Sequence, residues 1–282
     1  MDALKSRIYF VLIATAENAN PNGDPLNGNR PRQHYDNTGY ISAECIKRKM
    51  RNRLQDMGER ILYQANDRSD DGLTNISDRI NTVEGVEEAK KKKDNKFIYD
   101  SICKEFIDVR AFGATIALKK DKTSVGVRGA VTIQNAESVG PVDVESYQIT
   151  KSLNGEPGAD KGSDTMGMKH VVRYGTYVIR GAVNPIFAGK TGFSAEDAEK
   201  IKKALTTLFE NDESSARPAG SMSVRKLYWY VQEDGDEVIA PEEVYDSVDI
   251  TVTDPDGMAR SWDDIDIRLK DIGVKPEIIV DR

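Results

Sequence analysis

Residues 8–15 (Ile-Tyr-Phe-Val-Leu-Ile-Ala-Thr) form an unbroken apolar run rich in β-branched and aromatic side chains. A run of that length and composition predicts a strand covered on both faces. From Ser42 the period changes. Ile46, Met50, Leu54, Met57 and Ile61 recur at mostly four-residue steps, the spacing of one helix face. Between the two, from Asn18 to Gln33, nearly every residue is a turn-former or carries a hydrogen-bonding side chain.

Further along, the pattern predicts a helix over 97–109, a strand near 111–118, another over 125–134 and a third over 171–183. A helix over 195–210 opens on Ser194 with Asp197 three residues later, a capping-box signature, and 224–231 reads as a final strand. Without its longer excursions the order is β-α-β-β-α-β, an α+β fold of the ferredoxin-like or RNA-recognition-motif-like kind. Three excursions, 17–41, 64–96 and 135–169, are poorly patterned and exceed the ~12–15 residues usual for loops in compact domains. The second holds Lys90, Lys91, Lys92 and Lys93 among many acids and reads as a mobile insertion. The third carries Gly140, Gly155, Gly158, Gly162 and Gly167 and reads as an arm projecting from flanking strands. No fixed-period repeat is visible, which argues against a solenoid.

Charge sharpens this picture. The 282 residues carry a formal net charge of −7, with 31% charged and 7% aromatic residues. From Glu196 onward there are 22 acidic and 11 basic residues, against 25 and 29 before it. A locally basic face with an acidic C-terminal third suits a chain that grips a polyanion on one side and meets other surfaces elsewhere. Cys45 and Cys103 lack metal-site spacing, and His34 and His170 lie far apart, so no cysteine or histidine metal site is expected. Lys5, Arg7 and the apolar run imitate a secretory leader, but Asp2 and the strand-like composition argue against one. No segment has the ~20 apolar residues of a membrane span. A reduced, cytoplasmic protein is expected.

The chemistry concentrates between Asn18 and Arg53. Lys47, Arg48, Lys49, Arg51 and Arg53 place five cations in seven residues beside an amide-rich loop, a combination suited to phosphates and sugars. Asp24 and Asp36 lie in that loop. Each is expected to fix its own turn, since a hard-cation site needs several converging oxygens. Residues 184–191 (Asn-Pro-Ile-Phe-Ala-Gly-Lys-Thr) imitate a phosphate-binding loop, but Asn184 stands where glycine is required and Pro185 removes an amide. Nucleotide hydrolysis is therefore not expected, and no cofactor is implied.

The segment from Ala19 to Pro25 (Ala-Asn-Pro-Asn-Gly-Asp-Pro), Ile41-Ser42 opening the basic helix, and Gly162-Ser163-Asp164-Thr165-Met166-Gly167 ahead of a His-Val-Val-Arg-Tyr-Gly strand together resemble the CRISPR Cas-seven backbone subunit, in its type I-C (Csd-two) branch. The resemblance runs from Arg7 to about Val231. It implies a palm formed by residues 1–63, 97–134 and 170–282, a finger-like insertion at 64–96 and a thumb-like arm at 135–169. It further implies a homo-oligomeric filament along a guide crRNA within a Cascade antiviral surveillance complex, with target DNA recognised through the guide and other Cascade subunits as partners. The RNA contacts it implies are Asn20, Asn22, Arg30 and Gln33 in the loop and Ser42, Lys47, Arg48 and Arg51 on the helix. On the arm they are Met166, as an apolar wedge against a base, and Lys169. Type III relatives cut RNA with an aspartate in the loop after the first strand, where Asp24 stands. The type I branch leaves cutting to another protein, so a non-catalytic subunit is expected. The alternative is a metal-dependent endoribonuclease using Asp24.

Overall fold

The computed structural model describes residues 2–118, 123–150 and 166–280. The chain opens with β1 (Arg7–Ala19), a loop holding β2 (Gly23–Asp24) and β3 (Arg30–Pro31), then β4 (Thr38–Ile41) and α1 (Ala43–Asp56). Next come α2 (Ile76–Asn81), α3 (Val86–Lys92), α4 (Asn95–Glu105) and α5 (Ile107–Phe112), followed by β5 (Ala114–Leu118) and β6 (Thr123–Val127). Then β7 (Val131–Ile133), β8 (Ala136–Pro141), β9 (Val144–Thr150) and the long β10 (Met166–Val183) lead to α6 (Pro185–Thr191) and α7 (Ala195–Thr206). Finally come β11 (Met222–Gln232), α8 (Pro241–Asp246), β12 (Val248–Val252), β13 (Ile265–Leu269) and β14 (Glu277–Ile279).

The main sheet is antiparallel, in the order β14-β11-β1-β10-β8-β4, with β7 and β9 also paired to β10. β1 lies in its middle, which is why its run is apolar without alternation. Phe10, Leu12 and Ala16 point into a core shared with α1 and α7. Tyr9, Val11 and Ile13 point the other way, against Val244, Tyr245 and Val248 of the C-terminal segment. That acidic segment is a third layer of the fold. Ile46, Met50 and Leu54 of α1 are fully buried, as their spacing predicts. Ser194 and Asp197 form the predicted capping box.

Elsewhere the expected elements are redrawn. The helix expected over 97–109 divides at Phe106, whose backbone is extended between α4 and α5. Ala111 and Phe112 are helical, and Gly113 at φ 82° turns the chain into β5. The strand expected over 125–134 is two strands in different sheets, because β6 pairs β5 while β7 joins β10. The break is steric: a Cβ on Gly129 would sit 2.3 Å from the Ala111 carbonyl oxygen and 2.4 Å from the Gly113 nitrogen. The main chain can pass there only as glycine. Consequently β1, α1, β7, β10, α7 and β11 follow the order β-α-β-β-α-β, with short β7 in the place expected of the longer strand.

Residues 64–96, expected to be mobile, contain α2 and α3. Ile80, Val83, Val86 and Ala89 are buried in a second core with Ile98, Ile102 and Phe106, capped by β5 and β6. Three-residue spacing among many charges hid this face. In the third excursion β9 pairs the first part of β10, from Met166↔Thr150 to Val172↔Val144. Gly155, Gly158 and Gly162, together with the Met166 side chain expected to act as a wedge, lie outside the described residues.

Candidate nucleic-acid interface

The loop between β1 and α1 is wired to itself and to the helix it precedes. Asn20 is buried and donates from Nδ2 to the Asn29 carbonyl at 2.6 Å. Asn22 Oδ1 accepts from the Ser42 backbone N–H at 2.9 Å, and the Ser42 hydroxyl caps α1 by accepting from Cys45 N–H at 3.2 Å. Gln33 Nε2 donates to the Val142 carbonyl at 2.9 Å, tying the loop to the base of the arm. Arg30 Nη1 donates to Ser146 Oγ at 2.9 Å, and that hydroxyl lies 2.8 Å from His170 Nδ1. Asn20, Asn22, Gln33 and Ser42 thus shape the loop, whereas Arg30 links it to the β9–β10 arm. Leu26 and Tyr35 stand fully exposed at its turns.

The two loop carboxylates fix turns, as expected. Asp24 Oδ1 accepts from Leu26 N–H at 3.2 Å and lies 3.5 Å from Arg32 Nη2. Asp36 Oδ1 accepts from Thr38 N–H at 3.0 Å and from the Thr38 hydroxyl, and these bonds lower its pKa. Among the described residues no three histidine, cysteine or carboxylate side chains gather in a metal-binding group.

The five cations of α1 are not one free face. Lys49 is 4% exposed and ion-paired with Asp212, and burial lowers its pKa despite that partner. Arg51 Nε donates at 3.0 Å to Asp108, which is fully buried and also accepts from the Leu62 and Tyr63 N–H groups at 2.8 and 3.2 Å. The Arg51 guanidinium lies between the rings of Tyr63 and Phe112, 5.4 and 5.1 Å from their centroids. Arg53 donates to Thr207 Oγ1 at 2.7 Å and pairs with Glu210. Arg48 donates to the Tyr63 carbonyl, and burial followed by the neighbouring Arg51 charge lowers its pKa. Lys47 is half-buried, with no ion pair or hydrogen bond among the described residues. Lys169 sits on β10 opposite Tyr147 of β9, on the same arm as Ser146.

Some residues of this surface were missed in the sequence. Arg32 Nη1 contacts the Tyr40 hydroxyl at 3.4 Å, and His34 stacks on the Tyr40 ring at 4.6 Å with Nε2 2.9 Å from Glu137. Arg32 and His34 flank Gln33 and were open to the same reading; Ser146 and His170 carry no signal in sequence. A cleft of about 690 Å³ opens beside the arm, lined by Glu17, Asp143, Glu145, Arg173, Tyr174 and Arg260 among others. Its arginines are taken, Arg173 by Glu145 at 3.4 Å and Arg260 by Asp254 at 2.8 Å, so it is a poor phosphate site. The Asn184–Thr191 imitation of a phosphate loop is an Asn-capped helix, α6, with Gly189, Lys190 and Thr191 inside it.

These features define a mixed α/β protein with a polar loop wired to a capped helix. The fold is that of a chain of a "CRISPR RNA-guided surveillance complex, pre-nicking", with a TM-score of 0.53 and 17% identity over 83% of this chain and 80% of that one. The family described as "CRISPR-associated protein Cas7" matches residues 6–270, and the chain belongs to that family. A curated relative, "CRISPR-associated protein Cas7" of Haloferax volcanii, is 26% identical over 232 residues, covering 76% of this chain and 67% of the relative.

Proposed function

We propose that this chain is a non-catalytic, guide-RNA-binding backbone subunit of a type I-C Cascade surveillance complex in the cytoplasm. The observation that carries the reading is the wiring of the Asn20–Gln33 loop to the N-terminus of α1 through Asn22 and Ser42, in a member of the Cas7 family. A loop held in this way presents phosphate contacts without paying ordering entropy on binding. In this reading Lys47, Arg30 and Lys169 meet the RNA backbone, and Arg48 lies beside them. Asn20, Asn22, Gln33 and Ser42 hold the loop, adding backbone and amide contacts, and Arg51 positions the helix from its buried ion pair.

The β-α-β-β-α-β order is read as a ferredoxin-like, RNA-recognition-motif-like palm, formed by residues 1–63, 97–134 and 170–282. Residues 64–96 act as the finger and 135–169 as the thumb, whose Met166 wedges against a base of the guide. Copies of the chain stack along one guide, with target DNA recognised by pairing to it and other Cascade subunits as partners. Asp24, capping its own turn, has a structural role.

The test is purification of the chain from cells carrying a guide array, with sequencing of the bound RNA. Repeat-derived guides in oligomers of regular size are expected; recovery of RNA-free protein would reject the reading. Offered a complementary RNA with Mg²⁺ or Mn²⁺, the assembled filament should leave it intact. Regularly spaced products that vanish in Asp24→Ala would replace the non-catalytic reading with that of an endoribonuclease.

A further inference from the structure

The phosphate-loop imitation leaves an unexplained feature at the other end of the sheet. Arg128 lies over the Phe187 ring at 5.2 Å from its centroid and Lys190 at 5.9 Å. Both cations are exposed, and neither has a carboxylate partner among the described residues. On neighbouring α4, Asp100 is already paired with Lys96. Ile186, next to Phe187 on α6, adds apolar surface that is 62% exposed.

The group is built on fixed backbone. Arg128 precedes Gly129, which is packed against the Ala111 carbonyl. α6 is pinned by Thr191 Oγ1 donating to the Arg110 carbonyl at 3.1 Å and by Tyr99 donating to the Lys190 carbonyl at 3.3 Å. Position separates it from the guide surface. α6 begins where Val183 pairs Ile8, whereas the Asn20 loop begins beyond Ala19, at the opposite end of β1. At ~3.3 Å per residue the two ends lie roughly 35 Å apart.

We propose that Arg128, Ile186, Phe187 and Lys190 form a second binding site, for single-stranded nucleic acid other than the guide. Cations held over an aromatic ring, with no carboxylate partner among the described residues and an exposed apolar side chain beside them, supply phosphate contacts and a platform for bases. The chain is net acidic, so this patch is not part of a generally basic coat. An acidic peptide would find the cations but would make little use of the ring and Ile186.

The test uses the full chain and a 5-bromodeoxyuridine-substituted single-stranded DNA, with and without saturating unlabelled RNA. Crosslinks to the peptide holding Phe187 are expected in both conditions. The double variant Arg128→Ala/Lys190→Ala should bind the DNA at least tenfold more weakly, with the log–log salt slope reduced by about 1.4 for two lost phosphate contacts. Lys190→Glu, at an exposed position, serves as a second variant and should weaken binding likewise with an unchanged melting temperature. Lys47→Ala should leave these crosslinks unchanged. The proposal is overturned by crosslinks confined to residues 18–56, by an unchanged slope, or by displacement of the DNA by polyglutamate of matched charge. Loss of guide binding with retained Phe187 crosslinks would reject the guide-binding reading and leave this one standing.

Discussion

Helix α1 and the α6 patch both present cations, yet they use them differently. On α1, Lys49, Arg51 and Arg53 are consumed by Asp212, Asp108 and Glu210, carboxylates that lie from 57 to 163 residues away in the chain. Beside α6, Arg128 and Lys190 lie over the face of Phe187 and have no carboxylate partner among the described residues. The denser cluster therefore keeps the smaller share of its charge available, Lys47 and Arg48 being the members without a carboxylate partner among the described residues. Cation density along a chain measures the need for partners, and the fold decides whether those partners are its own carboxylates or a ligand's phosphates.

The sharpest way to break this contrast is at Asp108. Asp108→Ala leaves Arg51 uncompensated between two rings and strands the Leu62 and Tyr63 N–H groups. A loss of about 3–5 kcal/mol is expected in urea unfolding. A loss below 1 kcal/mol would mean that Arg51 is in fact free for ligand.

Asp197 comes next. Burial would raise its carboxyl, but hydrogen bonds from Arg110, at 2.8 Å to each oxygen, and from Ser194 N–H hold it below the usual 3.8. Its contribution is fully present above that value and is lost as pH falls through the lower folded-state pKa. Asp197→Asn should lower stability by about 2–3 kcal/mol near neutrality and flatten the wild-type loss below about pH 4. Parallel stability–pH curves for the two proteins would reject this account.

A smaller effect is expected at Asp24, where alanine removes the cap of one turn. About 1 kcal/mol should be lost in thermal or urea melts. The smallest belongs to Lys47→Ala, which should change stability by less than about 0.5 kcal/mol. It should nevertheless reduce the salt slope of RNA binding by about 0.7. An unchanged slope would remove Lys47 from the guide surface.

Much of the scaffold was legible because it rests on local periodicity. The apolar run of β1, the Ile46–Met50–Leu54 stripe and the Ser194–Asp197 cap each depend on residues a few positions apart, where steric and hydrogen-bonding rules act directly. The split at Gly129 was not legible, since a glycine in a strand-like stretch shows nothing of the carbonyl it must clear. The helices of 64–96 were missed because short elements draw their stability from tertiary packing, here against Ile98 and Phe106.

Local pattern is enough to establish that an apolar strand, a polar loop and a cationic helix follow one another, and that the C-terminal third is acidic. Which of those charges remain available depends on the packing of distant segments. That packing buried Asp108 under Arg51, brought Asp212 to Lys49, folded the acidic segment after β11 onto the sheet as a layer and left Arg128 and Lys190 above a phenylalanine ring. The reason is range: backbone preference acts over a few residues, whereas the pairing of buried charges is set by which distant segments the core brings within 3–4 Å.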